Sequence, residues 1–153
     1  MSRRPTGSRF RVQAALGTAA VLLLAGTGCA GEAESAEGGM GLPVVGWLDE
    51  PTTGGTAISG TMRVADNGCF HLESDSAHLF ILWPDGFEHD GAQVLTGDGA
   101  AIADGDELSG TGTVLANSDA VEAGGGKDSQ LGQAVGYCAE GLDVVVLTEV
   151  TSG

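Results

Sequence analysis

The chain has very few basic side chains. Its 153 residues include six Lys and Arg against 21 Asp and Glu, a net charge of −15. Four of the six lie in the first eleven residues (Arg3, Arg4, Arg9 and Arg11), and every acidic residue follows position 31. Beyond Cys29, two positive charges against 21 negative ones give a net charge of about −19. A nucleic-acid-binding protein needs a basic face, so nucleic acid is excluded as a partner.

The chain also lacks an apolar run long enough to be a transmembrane helix, which needs about 20 strongly apolar residues. The uncharged stretch Val12–Leu24 is interrupted by Gln13, Gly17 and Thr18. Arginines precede this stretch and small residues follow it, which is the order of an export leader. We therefore assign residues 1–28 to a signal peptide and exclude them from the folded domain.

The segment that ends this leader, Ala25–Cys29, resembles the lipobox of bacterial lipoproteins, in which small residues precede a cysteine that becomes lipid-modified. The resemblance implies a diacylglycerol on the Cys29 thiol, with the leader removed just before it. Gly26 departs from the pattern, because Leu is usual there. The alternative is ordinary secretion with Cys29 unmodified. A lipoprotein would lie on the extracytoplasmic face of the cell membrane and be held by its lipid only, because an acidic domain is repelled from anionic lipids.

Three cysteines in an exported protein leave one without an intramolecular partner. If Cys29 carries the lipid, Cys69 and Cys138 remain to form a disulfide in an oxidising compartment. Such a bridge would stabilise the fold by about 4 kcal/mol on the loop-entropy model. The alternative, a reactive free thiol, needs a positive or histidine-rich setting, and Cys138 lies between Tyr137 and Ala139.

Downstream of Cys29 the composition divides the chain in two. Residues 29–41 are rich in Glu and Gly and poor in apolar residues, which predicts a disordered tether. Residues 42–153 have turn signals about every eight to twelve residues, with β-branched or aromatic segments between them, which predicts one β domain. The predicted strands are Ala57–Ala65, Cys69–Glu73, His78–Trp83, Gln93–Leu95, Glu107–Leu115 and Leu142–Val150.

The fold class that follows is all-β: a small closed or partly open antiparallel barrel, with the OB-fold as one form, or else a β-sandwich. His78–Trp83 and Val144–Leu147 are apolar without alternation, so we expect strands covered on both sides. One short helix is predicted over Ser129–Tyr137, with Ser129 as its cap and with a surface loop over Ser118–Asp128 before it.

The spacing of turns and cysteines also resembles small secreted or lipid-anchored β proteins of actinobacteria, whose function is uncharacterised. The resemblance covers roughly Thr61 to Val150 and implies a fold and a location but no activity. It is carried by Gly68-Cys69, Leu82-Trp83-Pro84-Asp85-Gly86, Asp98-Gly99, Gly105-Asp106 and the late Cys138.

Three histidines, His71, His78 and His89, are candidates for a metal or catalytic site. On a strand, His71 and Glu73 would project from the same face. No second histidine falls at a fixed ligand spacing, so we favour hydrogen-bonded or solvated histidines scattered over the domain. Convergence of two histidines and a carboxylate in one cleft would instead favour a small metal-dependent or hydrolytic enzyme.

Acidic residues collect near two glycine turns, at Asp98, Asp104, Asp106 and Glu107. Their oxygens are a possible Ca²⁺ site, but the spacing is not that of an EF-hand. We favour a solvated acidic rim and expect no cofactor, because turns ordinarily collect Asp and Gly.

No serine lies in a Gly-x-Ser-x-Gly motif, and no catalytic residue is assigned. The sequence therefore favours a cell-surface, non-catalytic binding module. We expect a monomer whose partner is an extracytoplasmic protein or a small molecule. The alternatives are the small enzyme above and a structural envelope protein.

Overall fold

The computed structural model describes residues 41–152, which form a mainly β domain. The predicted leader, Cys29 and nearly all of the predicted tether lie outside the described residues. The elements are a 3-10 turn (Val45–Trp47), strands β1 (Thr56–Val64), β2 (Phe70–Glu73), β3 (His78–Leu82), β4 (Glu88–Asp90), β5 (Gln93–Leu95), β6 (Ala101–Ile102), β7 (Glu107–Leu115) and β8 (Val144–Ser152), and helices α1 (Asn117–Ala123) and α2 (Gln130–Cys138).

Five of the strands form a closed barrel in the order β1-β2-β3-β8-β7, with β7 paired back onto β1. Only the contact between β3 and β8 is parallel, and the other pairs of the barrel are antiparallel. The prediction of a closed barrel is therefore confirmed over the sandwich. The predicted strands are all present, with ends within two residues of their expected positions.

Strands β3 and β8 are covered on both faces, as their lack of alternation predicts. Leu79 and Ile81 of β3 point into the barrel, whereas Phe80 and Leu82 point outward against the two helices. The domain thus has two apolar cores that share these strands, one inside the barrel and one beneath α1 and α2.

Glycines in β1 and β7 allow neighbouring strands of the barrel to approach closely. A Cβ atom added to Gly60 would lie 2.5 Å from the carbonyl oxygen of Glu73, and one added to Gly112 would lie 2.6 Å from that of Val146. Such distances would force the paired backbones apart. The lack of side chains at these positions therefore permits the tight curvature that closes five strands into a barrel.

Helix α2 begins as predicted, because the Ser129 hydroxyl accepts a hydrogen bond from the Gly132 amide at 2.9 Å. The loop predicted over Ser118–Asp128 is wrong in its first half, which forms α1 and gives the domain two helices instead of one. Helix α1 has no side-chain cap and is mostly polar, so it carries no strong sequence signal. Asn117 holds it in place by donating to the carbonyl oxygens of Ala139 and Leu142 at 2.7 and 2.8 Å.

A second, three-stranded sheet (β4-β5-β6) follows β3. Sequence patterns predict β5 but miss β4 and β6, which are three and two residues long and too short for a periodic signal. Val94 and Ile102 are fully buried in the same core as the barrel residues, so this sheet closes over part of the barrel. No helix in residues 41–152 is both long enough and apolar enough to cross a bilayer.

Candidate functional site

The two downstream cysteines form the predicted disulfide. The Cα atoms of Cys69 and Cys138 are 5.5 Å apart, and the bond links the start of β2 to the last residue of α2. Neither sulfur is a free thiol, so the alternative of a cysteine nucleophile or metal ligand is removed. The disulfide instead fixes the helical layer onto the outer face of the barrel.

Beside the disulfide, two of the candidate histidines come together. The rings of His71 and His78 meet edge to face, with centroids 4.8 Å apart. The expectation of scattered histidines is therefore wrong for this pair, because cross-strand pairing of the β2–β3 hairpin brings the two side chains together. His89 lies on β4 in the other sheet.

His71 has a structural role that explains its burial. Only 6% of its surface is exposed, and its Nε2 lies 2.8 Å from the carbonyl oxygen of Cys138. A carbonyl only accepts, so Nε2 carries the proton and donates. Burial lowers the pKa of His71 below its ordinary value of 6.5, and His78 lowers it further, against an opposing effect of the bond to Cys138. His71 is thus a neutral side chain that holds the end of α2, with little access for a substrate.

The carboxylate nearest this pair is also engaged. Glu73 lies opposite His78 on the hairpin, but its Oε2 accepts a hydrogen bond from Nε of Arg63 at 2.8 Å. This ion pair lowers the pKa of Glu73 and raises that of Arg63. Two histidines and a carboxylate are therefore neighbours, but they do not converge in one open cleft as general acid–base chemistry requires.

The burial of neutral His71 gives the domain an acid sensitivity. Because the pKa of His71 is lowered in the folded state, the stability that this residue contributes to the fold is fully present above pH 6.5. This contribution is lost as the pH falls from 6.5 towards the folded pKa. We expect the free energy of unfolding to decrease over that range, and His71→Gln to reduce this slope. Urea unfolding at a series of pH values measures it, with His89→Gln as the control that keeps the slope. An unchanged slope in His71→Gln would show that His71 titrates alike in both states.

Asp98 lies in the turn between β5 and β6, whereas Asp104 and Asp106 share the turn between β6 and β7, and each carboxylate is bound by a different group. Oδ1 of Asp104 accepts from the Val64 amide at 2.9 Å, and Oδ2 of Asp106 accepts from the Ala103 amide at 2.8 Å. Asp98 accepts from the Thr96 hydroxyl, which lowers its pKa. Throughout residues 41–152, no three His, Cys, Asp or Glu side chains are arranged to hold a metal ion. These carboxylates therefore stabilise turns.

The described domain has a cleft at one end of the barrel, with a volume of about 790 Å³, within the range of small-ligand sites. The cleft lies between the first half of β1 and the turn that joins β2 to β3. Apolar side chains of Ile58, Leu72, Leu79 and Val114 line it, together with the polar or acidic Ser59, Thr61, Glu73, Ser74, Asp75, Ser76 and Glu107.

The charge of the cleft is entirely of one sign. Among residues 41–152, Glu73, Asp75 and Glu107 line it, and no Lys or Arg does. Glu73 is neutralised in part by Arg63, and Glu107 accepts from the Thr61 hydroxyl at 2.9 Å, whereas Asp75 is exposed. The cleft therefore combines a mainly polar lining and an acidic rim with a floor formed by Ile58 and the almost fully buried Leu72 and Leu79. This favours a positively charged ligand that also carries small apolar groups.

Sequence patterns do not predict this cleft. Its origin is a difference in strand length: β1 has nine residues, whereas its neighbour β2 has four, so the first half of β1 pairs with no strand of residues 41–152 on that side. The one signal for the cleft in the sequence is that the predicted strand Ala57–Ala65 is longer than the predicted strand Cys69–Glu73.

Comparison with known proteins gives no further guide to function, since no family model, no curated protein and no solved structure matches the chain.

Proposed function

We propose that the chain is a lipid-anchored, extracytoplasmic binding module that takes its ligand in the cleft at the end of the barrel and performs no chemistry. The observation that carries the proposal is the Cys69–Cys138 disulfide. Structural disulfides persist in oxidising compartments and are rare in the cytosol. The bond thus supports export, as do the leader-like residues 1–28.

The lipid anchor is supported by the lipobox-like segment and by cysteine arithmetic. With Cys69 and Cys138 paired, Cys29 is the one cysteine of the chain left for another role. Two or more acyl chains suffice for stable membrane attachment. The acidic domain does not contribute to it, because a net negative surface is repelled by anionic lipids.

A binding role is supported by the cleft and by what surrounds the histidines. The cleft has about the volume that small ligands or peptide segments occupy. The side chains best suited to catalysis, His71 and Glu73, are engaged with Cys138 and Arg63. Recognition without chemistry is therefore the function that this arrangement favours.

The anchor is tested by changing its cysteine. In a bacterial host that processes lipoproteins, Cys29→Ser is expected to move the protein from the membrane fraction to the soluble fraction, because no acyl chain can be attached. The matched control, Ser35→Ala in the tether, is expected to stay in the membrane fraction. Retention of the Cys29→Ser protein in the membrane would contradict a lipid anchor at this residue.

A further inference from the structure

We propose that the cleft binds an extended, basic peptide segment of a partner protein, which adds to the free edge of β1 as an extra strand. This proposal rests on the binding role above and names the class of ligand. It commits to one occupant, a strand with alternating apolar and positively charged side chains. It depends on the unpaired edge, the apolar floor and the charge of the rim.

The backbone direction of β1 shows which groups the edge offers. The Met62 amide donates to the Asp106 carbonyl at 2.8 Å, so the backbone groups of Met62 face β7. The Ala65 amide donates to the Cys69 carbonyl at 2.9 Å, so those of Ala65 face β2. Because backbone groups alternate along a strand, Ala57 and Ser59 also face the β2 side.

On that side, however, β2 has already ended. Its last pair with β1 is Glu73 opposite Thr61, after which the chain turns away through residues 74–77. No strand within residues 41–152 pairs with Ala57–Gly60 on this side, whereas β7 pairs with the same residues on the other. The amide and carbonyl groups of Ala57 and Ser59 thus face the cleft as an open strand edge, which is a template for an added strand.

An incoming strand would continue the line of β2 beyond Glu73. One of its faces would lie over the floor formed by Ile58, Leu72 and Leu79, and the other would face solvent. Main-chain hydrogen bonds would give affinity, and alternate side chains would give specificity. Apolar residues are therefore expected at every second position of the bound segment.

Charge determines the intervening positions. The described part of the chain lines the cleft with three carboxylates and no basic side chain, and the chain as a whole carries a net charge of −15. Electrostatic complementarity favours Lys or Arg next to the apolar positions and disfavours an acidic segment. The same repulsion opposes a second copy of this acidic chain at the edge.

The test uses the full-length chain and a capped hexapeptide of alternating Lys and Val, with binding measured by calorimetry. The proposal expects saturable one-to-one binding that weakens at high salt. A hexapeptide of alternating Glu and Val, and the Lys–Val peptide with N-methylated amides, are expected not to bind. No binding of the Lys–Val peptide, or equal binding of the N-methylated form, would overturn strand addition.

Ser59→Pro is the informative variant, because it removes the amide that faces the cleft and leaves the ladder with β7 intact; proline is tolerated at such edge positions. Its matched control, Ser59→Ala, retains the amide. We expect at least about tenfold weaker binding in Ser59→Pro and unchanged binding in Ser59→Ala. Equal binding by the two variants would overturn the proposal.

Two further measurements keep the proposal open to refutation. If Ser59→Pro does not fold, Asp75→Lys serves instead, because Asp75 is exposed on the rim of the cleft. This variant is expected to bind the Lys–Val peptide more weakly, and undiminished binding would overturn the charge argument. If the wild-type chain dimerises and Ser59→Pro abolishes the dimer, the occupant of the edge is a second copy of the chain. That result would refute binding of a basic segment from a partner protein. These results do not depend on fractionation, so failure of the peptide site and failure of the anchor are distinguishable.

Discussion

Replacing both Cys69 and Cys138 by Ala is expected to lower the free energy of unfolding by about 3–4 kcal/mol. The bridge closes a loop with a sequence separation of 69 residues, and the loop-entropy model gives a stabilisation of this size for such a loop. For a domain of this length the loss corresponds to a fall in melting temperature of about 15 °C or more. Because small domains are stabilised by only about 5–15 kcal/mol, the variant would lose a large part of its stability.

Loss of the disulfide is expected to loosen helix α2 before the barrel. The disulfide and the bond from His71 to the Cys138 carbonyl are neighbouring links between β2 and the end of α2. Amide hydrogen exchange should therefore increase first in α2 and only later in the barrel strands. Cys29→Ser is the matched control, because it removes a cysteine outside the bridge. A loss below about 1 kcal/mol in the double variant would contradict the structural role given to the disulfide.

Gly132→Ala in helix α2 is expected to destabilise the domain by about 2–3 kcal/mol, although alanine is the better helix former. An added Cβ would lie 2.7 Å from the Cα atom of Lys127 and would collide with the carbonyl oxygen of Gly126. Both contacts are with backbone, which cannot move aside as a flexible side chain would. The loop before the helix would have to shift, and the cap that Ser129 forms with Gly132 would be disturbed.

Gly136→Ala, one turn further along the same helix, is the matched control and is expected to have the opposite sign. Apart from its chain neighbours and the backbone of its own helix, a Cβ at Gly136 meets no atom of residues 41–152 within 4 Å, so the variant should gain about 0.5–1 kcal/mol from helix propensity alone. Chemical denaturation of the two variants beside the wild type measures both effects. If both variants were more stable than the wild type, the loop would not pack against Gly132. If both were less stable, α2 would not be a regular helix at Gly136.

Much of the fold follows from the sequence because its determinants are local. The non-alternating runs at His78–Trp83 and Val144–Leu147 require cover on both faces, and the structure supplies the barrel core on one side and the helices on the other. Ser129 marks the start of α2 by its own side chain. Helix α1 was missed because tertiary bonds from Asn117, rather than its own propensity, hold it in place.

The candidate site follows from the sequence much less well, since it depends on which strands are neighbours. The meeting of His71 and His78 is set by hairpin register, and the cleft is set by where β2 ends along β1. The carboxylates of Asp98, Asp104 and Asp106 look like a cluster in sequence, but Asp98 lies one turn earlier than the other two, and each carboxylate accepts a hydrogen bond from a different group. Proximity along the chain is therefore a poor guide to the site, whereas the cleft depends on the unequal lengths of paired strands.

The central claim, an exported and lipid-anchored domain, is tested most directly by intact-mass analysis of the mature protein from a bacterial host that processes lipoproteins. We expect a chain that begins at Cys29, carries diacylglycerol on that residue, and has Cys69 and Cys138 joined in a disulfide. A chain that retains residues 1–28, or one that begins elsewhere with an unmodified cysteine, would contradict the claim.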